Sequence, residues 1–357
     1  MIIQETGVHC IVDGQFGSTG KGALAAWFAD YVLRCKAYDR FAGAIYSGGP
    51  NSGHTFYVDG EKVVLKQLPT FAVYLYMKGV RGVPVYLSAG AVIDPDILRE
   101  EANRYPNLYT FVHPNAAVVT QADKDAELQG SIAEVAGTRS GTGAALARKV
   151  LRDPTAIAGR YLYNMPPNVS IQRHRLKPEE KAYCMEVSQG FSLGINSQFY
   201  PKVTSRECTV MQGLADARIP PSMLAETFMA IRTYPIRVGN VDGHSSGNWY
   251  SDQYETTWDN IQVPPEMTTV TRRIRRVATF SMDQFVEACY ANDPSWVFIS
   301  HMDYLTDAEQ ERLIENLIVA REHMGKSFSI MYGYGPKVQD VSMFMRKVQE
   351  RLFDKGG

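Results

Sequence analysis

The chain has 357 residues, enough for one large α/β domain or two ordinary ones, and its 45% apolar and 21% charged residues are an ordinary globular balance. A formal net charge of -1 excludes a surface that grips nucleic acid as a whole, so any anion binding is expected to be local. Five cysteines with no C-x-x-C pair point to reduced thiols, and no apolar run approaches the length of a membrane span, so a cytoplasmic, non-membrane protein is expected.

Val8 to Asp13 reads as a buried strand and Lys21 to Cys35 as a helix, with Leu24, Trp27, Phe28, Tyr31 and Val32 at helical spacing. Between them Gly14, Gly17, Gly20 and Gly22 let the backbone approach a ligand, and Lys21 places a charge at the helix start, where phosphate is favoured. The loop is not a Walker A motif: Gln15 stands where the first Gly belongs, and Gly22 follows Lys21 where a metal-binding hydroxyl belongs. Its glycine spacing also differs from the dinucleotide fingerprint.

A second strand, Phe41 to Tyr46, runs into Ser47–Thr55, where Gly, Pro, Asn and His crowd into a loop of the kind that holds ligands. Tyr57 to Leu65 reads as a hairpin turning at Asp59-Gly60. Val83 to Ser88 is a strand, Asp94-Pro95 opens a helix to about Asn103, and Gln121 to Ile132 is expected to be helical. The Gly- and hydroxyl-rich Ala136 to Gly143 then precedes a helix, Ala144 to Leu151, with Arg152 just beyond; this combination suits a second phosphate. The basic Arg173 to Lys177 run reads as a solvated face, because no aromatics interleave it.

Ala182 to Val187 is a strand closed by Ser188-Gln189-Gly190, and Tyr200 to Ser205 is an extended loop. Ser222 is expected to cap a helix through Ile231, followed by a strand from Arg232 to Val238. Gly239 to Met267 is irregular, either a lid or a surface excursion. In Thr268 to Arg276, four arginines in five positions need intervening anions; the run fits either a solvated edge or a clamp for a dicarboxylate. The remainder alternates: helix Met282 to Ala291, strand Trp296 to Ser300, helix Asp307 to His323, strand Ser327 to Met331 and helix Val338 to Phe353. The expected fold is α/β, one domain over residues 1–357, with a largely parallel central sheet covered by helices and elaborated ligand-binding loops after the strands.

In this order the loops resemble the adenylosuccinate synthetase family. Asp13-Gly-Gln-Phe-Gly-Ser-Thr-Gly-Lys-Gly-Ala23 is similar to its first loop, and Gly48-Gly-Pro-Asn-Ser-Gly-His-Thr55 carries its second loop intact. Thr138 to Arg152, Gln189-Gly190, Tyr200 to Ser205, Thr271 to Arg276 and Ser300 to Asp303 match further family motifs. The resemblance implies a carbon–nitrogen ligase that phosphorylates O6 of a purine nucleotide and lets the aspartate amine displace the phosphate. It implies that Ser18, Thr19, Gly20, Lys21, Gly22, Ala23, Gly53, His54, Thr55, Ser300, His301, Asp303, Gly333, Gly335 and Pro336 hold a nucleoside triphosphate, with His54 as acid and Mg2+ near Ser18 and Gly53. Ser18, Asn51, Ser52, Ala136, Gly137, Thr138, Arg152, Gln189, Thr204 and Gly239 would hold the purine monophosphate, Arg152 reaching the neighbouring subunit of a homodimer. Val270, Thr271, Arg273 and Arg275 would hold L-aspartate.

Two departures carry information. The first loop of the ordinary enzymes has a catalytic Asp where Ser18 stands; a hydroxyl is a poor base but leaves room for, and accepts from, a 2-amino group. That substitution resembles the phage branch of the family, which joins aspartate to dGMP, giving 2-amino-2′-deoxyadenylosuccinate for 2-aminoadenine DNA. Asp13 is a candidate for the N1 proton acceptor. His301 replaces the family's guanine-reading Lys, which implies ATP or dATP rather than GTP as donor. The competing readings are conventional synthesis from IMP and a nucleotide-binding regulatory protein without turnover; a nucleic-acid partner is not expected.

Overall fold

The protein was analysed as a computed structural model, which describes residues 3–129, 137–240, 243–268 and 273–345. Its first half contains β1 (Gly7–Asp13), α1 (Lys21–Arg34), β2 (Phe41–Ser47), the hairpin β3 (His54–Val58) and β4 (Glu61–Leu65), α2 (Thr70–Met77), β5 (Val85–Leu87), β6 (Val92–Ile93), α3 (Pro95–Arg104), β7 (Thr110–Val112), β8 (Ala117–Val118), α4 (Gln121–Leu128), α5 (Thr142–Val150) and α6 (Ala158–Tyr161). The second half contains β9 (Val169–Ile171), β10 (Ala182–Val187), α7 (Val210–Ala217), β11 (Leu224–Arg232), β12 (Ile236–Arg237), β13 (Glu255–Thr256), β14 (Arg276–Ala278), α8 (Met282–Asn292), β15 (Trp296–Ser300), α9 (Asp307–His323), β16 (Ser329–Gly333) and β17 (Val341–Ser342).

A ten-stranded sheet in the order β17-β16-β15-β11-β1-β10-β2-β5-β7-β9 organises the chain. All its neighbouring pairs are parallel except β16 with β17. Along β1 the pleat alternates: Ile11 joins one hydrophobic cluster with α1, α2 and α3, while Cys10 and Val12 join the other with α7, α8 and α9. Every residue of β1 is buried, as expected of a central strand covered on both faces. Because β15, β11, β1, β10 and β2 lie side by side and run the same way, the loops that follow them open on one edge of the sheet.

Most of the expected elements are present, including the β1–loop–α1 unit, the β3–β4 hairpin, α3 capped by Asp94 and the alternation from α8 to β16. Four expectations need correction. Ser222 to Ile231 is not a helix: Pro221–Met223 form one 3-10 turn, and Leu224–Arg232 is the strand β11 beside β1. Its apolar run Phe228–Ile231 is buried on both sides, and such a run has no period that separates strand from helix. The strand expected over 232–238 is accordingly divided: Arg232 ends β11, and Ile236–Arg237 pair with β14 in a separate three-stranded sheet. Val338 opens only a 3-10 turn to Asp340, and β17 follows by pairing with β16; residues 346 onward lie outside the described residues. The helix from Gln121 ends at Leu128, and Gly130 to Ile132 lie outside the described residues. The helices α2 and α7 were not expected; α2 is apolar nearly all round, so it carries no amphipathic signature.

In the stretch after Gly239, the described part is largely exposed and is anchored at a few points. Tyr250 and Trp258 are buried, and Glu255–Thr256 pair with β14.

The seating of α1 against β3 depends on Gly22, where a Cβ would stand 2.2 Å from the Thr55 carbonyl oxygen. Gly22→Ala is expected to destabilise the fold by about 1–3 kcal/mol through that clash with backbone. A denaturant titration checks this, and an unchanged midpoint would show that α1 is not seated so closely.

Candidate functional site

The glycine-rich loop after β1 is wound around the Asp13 carboxylate. Asp13 is 1% exposed. Its Oδ1 accepts from Gln15 N–H at 2.9 Å and Gly17 N–H at 3.2 Å, and its Oδ2 accepts from Thr19 Oγ1 and from Lys21 Nζ at 3.1 Å. Gly17 and Gly20 sit at φ 90° and 83°, left-handed conformations that glycine adopts without strain, so the loop can close on the carboxylate and release α1 at Lys21. Ser18 takes φ 56° and stays exposed at the loop's apex. Its carbonyl is held at 3.1 Å by the guanidinium of Arg232, which is fully buried at the end of β11.

Two cavities flank Ser18. One, of about 180 Å³, is lined by Ser18, Lys21, Asn51, Ser52, Gly53 and His54 from the first two loops and by Gly137, Thr138, Gln189, Gly239 and Arg275 from later ones. The other, of about 490 Å³, is lined by Ser18, Thr19, Gly20, Lys21, Gly22 and Ala23, by Gly53, His54, Thr55 and Arg275, and by Ser300, His301, Asp303, Gly335 and Pro336. Ser18, Lys21, Gly53, His54 and Arg275 belong to both walls, so the cavities meet where these residues stand.

Of the other residues expected at the site, Thr204 accepts a 3.2 Å bond from Asn51 Nδ2 behind the smaller cavity. Gly333 ends β16 against Phe298, and Arg273 bonds the Asn240 carbonyl at 3.3 Å. Arg152 is exposed and lines neither cavity. Ala136, Val270 and Thr271 lie outside the described residues. Asp13 also lines neither cavity; its oxygens are committed to the loop, so the structure does not support it as the acceptor of a purine proton.

His54 leads into β3 with its ring edge-on to Tyr46 at 5.5 Å. Its Nδ1 lies 3.5 Å from Oε2 of Glu186 on β10, and both side chains are nearly fully buried. Glu186 Oε1 accepts from the Phe71 N–H at 2.8 Å, in the first turn of α2, while His54 Nε2 is buried with no partner among the described residues. Burial, and after it the Lys21 charge, lowers His54 to about 3; burial raises Glu186 to about 7. Burial therefore drives both groups toward neutral forms, and the pair holds a proton on Glu186 in weakly acidic solution. Sequence reasoning missed Glu186; the signal was a carboxylate inside an otherwise apolar strand, three residues before Gln189.

The arginine-rich segment is an arm held by its partners. Met267 bridges Ile274, Thr268 N–H bonds the Arg273 carbonyl at 2.8 Å, and Arg275 N–H bonds the Glu266 carbonyl at 2.9 Å. Arg276 turns away to Glu255 at 2.7 Å and stacks on Trp249, whereas Arg275 faces both cavities. Glu266 pairs with Arg232; although burial opposes it, Arg232 holds this carboxyl below its ordinary value. Of this run, Arg276 is paired with the acidic Glu255, and Arg275 feels the charge of Glu266. At the far end of the larger cavity, His301 Nδ1 and Ser300 Oγ are 2.7 Å apart, and burial, aided by Arg232, lowers His301 to about 3, so its ring is neutral.

The donors beside the junction that were expected to hold a metal are the neutral Ser18 hydroxyl and Gly53 carbonyl. No group of three or more His, Cys, Asp or Glu suited to a metal occurs among the described residues. Such a set fits a Mg2+ that arrives on phosphate oxygens and keeps several waters, since that ion is usually held by few protein ligands. Among the described residues no helix is long and apolar enough to cross a membrane.

Comparison with known proteins identifies the family and the fold. The adenylosuccinate synthetase family profile matches residues 10–162 and 155–316. The N6-succino-2-amino-2′-deoxyadenylate synthase of Vibrio phage phiVC8 is 34% identical over 352 residues, covering 94% of this chain and 98% of its own. The enzyme of the same name from cyanophage S-2L is 35% identical over 350 residues, with 93% and 91% covered. A solved structure, the cyanophage S-2L succinoaminodeoxyadenylate synthetase (PurZ) bound to dGMP and dATP as an energy donor, superposes with a TM-score of 0.83 at 31% identity over 98% of this chain and 99% of that one. Adenylosuccinate synthetase from Plasmodium falciparum shares the fold, with a TM-score of 0.72 at 16% identity over 94% and 99% of the two chains. This chain belongs to the adenylosuccinate synthetase family.

Proposed function

We propose that the chain joins L-aspartate to dGMP at the expense of a nucleoside triphosphate, passing through a 6-phosphoryl purine and giving 2-amino-2′-deoxyadenylosuccinate. The observation that carries this reading is the exposed Ser18 at the junction of two cavities, in a loop with no free carboxylate. The smaller cavity takes the purine monophosphate, with Gly137, Thr138 and Gln189 around it and Asn51 backed by Thr204. The larger takes the triphosphate, its phosphates against the Gly20–Ala23 backbone and Lys21. Arg275 and Arg273 hold aspartate, together with Val270 and Thr271. Arg152, being exposed and away from its own cavities, serves the neighbouring site of a homodimer.

The chemistry follows from the positions. Phosphoryl transfer to O6 needs the donor and acceptor oxygens held in line and the developing charge neutralised. Lys21 reaches both cavities and supplies positive charge where they join. Mg2+ near Ser18 and Gly53 would neutralise phosphate oxygens when bound. His54, with the Glu186 proton behind it, donates to the departing phosphate as the aspartate amine attacks C6. Ser18 accepts from the 2-amino group of guanine, a group hypoxanthine lacks. The neutral His301, with Ser300 and Asp303, makes a base platform without the extra charge of a Lys, which favours ATP or dATP.

A reaction offered IMP, GMP and dGMP together is expected to give the dGMP product by mass, and Ser18→Asp is expected to lower dGMP turnover while sparing or raising that of IMP. Faster use of IMP by the unaltered protein would overturn the assignment. Initial rates with ATP or dATP are expected to exceed those with GTP, and a strict GTP requirement would refute the role given to His301.

The His54–Glu186 pair sets a pH dependence. With Glu186 raised to about 7 by burial, the pair keeps its proton below that value and loses it above. Turnover is therefore expected to fall on the alkaline side with an apparent pKa near 7. Glu186→Gln is expected to remove that limb and to lower kcat by about 100-fold, within the range for a lost general acid. A Glu186→Gln profile that keeps the alkaline limb would dissociate Glu186 from the acid step.

A further inference from the structure

Outside the catalytic cavities, the second face of the sheet is covered unevenly. Helices α7, α8 and α9 pack over its central and β16-side strands, whereas over β2, β5 and β7 the covering is the segment after β9 and the C-terminal end of α7. A cavity of about 650 Å³ lies there, with none of the residues that line the catalytic cavities in its wall. Its size falls within the range of about 300–1,000 Å³ usual for small-molecule sites.

One wall is aromatic. Tyr86 of β5 and Phe111 of β7 stack at 5.4 Å, and His174 lies 4.0 Å from Phe111 and 5.4 Å from Tyr86. The basic run around His174 therefore does meet aromatic rings, supplied by strands far from it in sequence. The cavity's two carboxylates are committed: Asp216 to Arg206, Ser47 and Gln212, and Glu179 to Arg175 at 3.9 Å. The guanidinium groups of Arg173 and Arg218, which also line it, have no acidic or hydrogen-bonding partner among the described residues. His113 Nδ1 accepts from Asn115 N–H at 3.0 Å, which leaves its Nε2 as the donor nitrogen, and the Oγ of the buried Ser88 has no partner among the described residues. Burial, then the charges of Arg173, Lys149 and Arg218, hold His113 below its ordinary value, so cations converge on this corner.

We infer that this cavity is a second nucleotide site, separate from the catalytic one, which takes a nucleoside triphosphate with its base on the Tyr86–Phe111–His174 wall and its phosphates on Arg173 and Arg218. Rings stack bases of any sequence, and paired guanidinium groups match phosphate oxygens. Several separate donors suit a polyphosphate better than a single phosphate.

The test is equilibrium dialysis of the full chain with dTTP, with and without saturating dGMP and a non-hydrolysable ATP analogue. One dTTP per chain is expected to bind in both conditions, tripolyphosphate more weakly. The double variant Arg173→Ala/Arg218→Ala is expected to bind dTTP about tenfold or more weakly, as loss of two charge-assisted contacts implies, while sedimenting as the unaltered protein does. Because the readout is binding, failure of the ligase reading would leave this result intact. No binding beyond the catalytic site, binding unchanged in the variant, or tripolyphosphate as tight as dTTP would each overturn the proposal. So would altered sedimentation of the variant with no loss of dTTP, which would make the face a contact between copies of the chain.

Discussion

The site depends on one buried carboxylate. Asp13 ends the central strand and gathers four donors from the next eight residues, two of them backbone N–H groups, and thereby fixes the shape of the loop. A carboxylate out of water is tolerated only when paired and hydrogen-bonded, and stripping away one partner of such a pair costs about 3–5 kcal/mol. Lys21 is that partner, and its Nζ also reaches the Gln189 carbonyl, so the same ammonium ties the loop after β1 to the loop after β10. Gly190 permits the approach: a Cβ there would stand 2.2 Å from Gly17 N.

From this anchor the remaining charges are placed in relays. Arg232 joins the Ser18 carbonyl to Glu266, and Glu266 stands at the base of the arm that carries Arg273 and Arg275. The glycine-rich loop and the arginine arm are therefore coupled through a fully buried guanidinium. The buried Nε of Arg232 has no partner among the described residues, but its two terminal nitrogens fix the Ser18 carbonyl and Glu266, which helps to hold groups in line without reorganising. On the opposite wall, burial leaves His54 and Glu186 short of charge, so the site receives its polyanionic ligands with Lys21 and Arg275 as the charged side chains shared by both cavities.

The exchange of a loop carboxylate for Ser18 fits the same electrostatic frame. A second carboxylate beside Asp13 would add negative charge where the proposed triphosphate would lie. With a hydroxyl there, Lys21 is balanced by Asp13 alone within the loop, and the ligand's own charge completes the site.

The sequence by itself determined the local units. Glycine spacing with Lys21 marked a candidate anion loop, alternating strands and helices marked a parallel α/β sheet, and the ordered loops marked the family, because each of these is written in consecutive residues. It misjudged β11, since a strand buried on both faces carries no period, and it left Asp13 open as a proton acceptor because the direction of a side chain at a strand end is set by its neighbours. Glu186 opposite His54, Arg232 between Ser18 and Glu266, and the rings of Tyr86 and Phe111 beside His174 are separated by tens to hundreds of positions. Only the stacking order of the sheet brings them together, since strand order is a property of the folded chain and is not encoded in the spacing of any one segment.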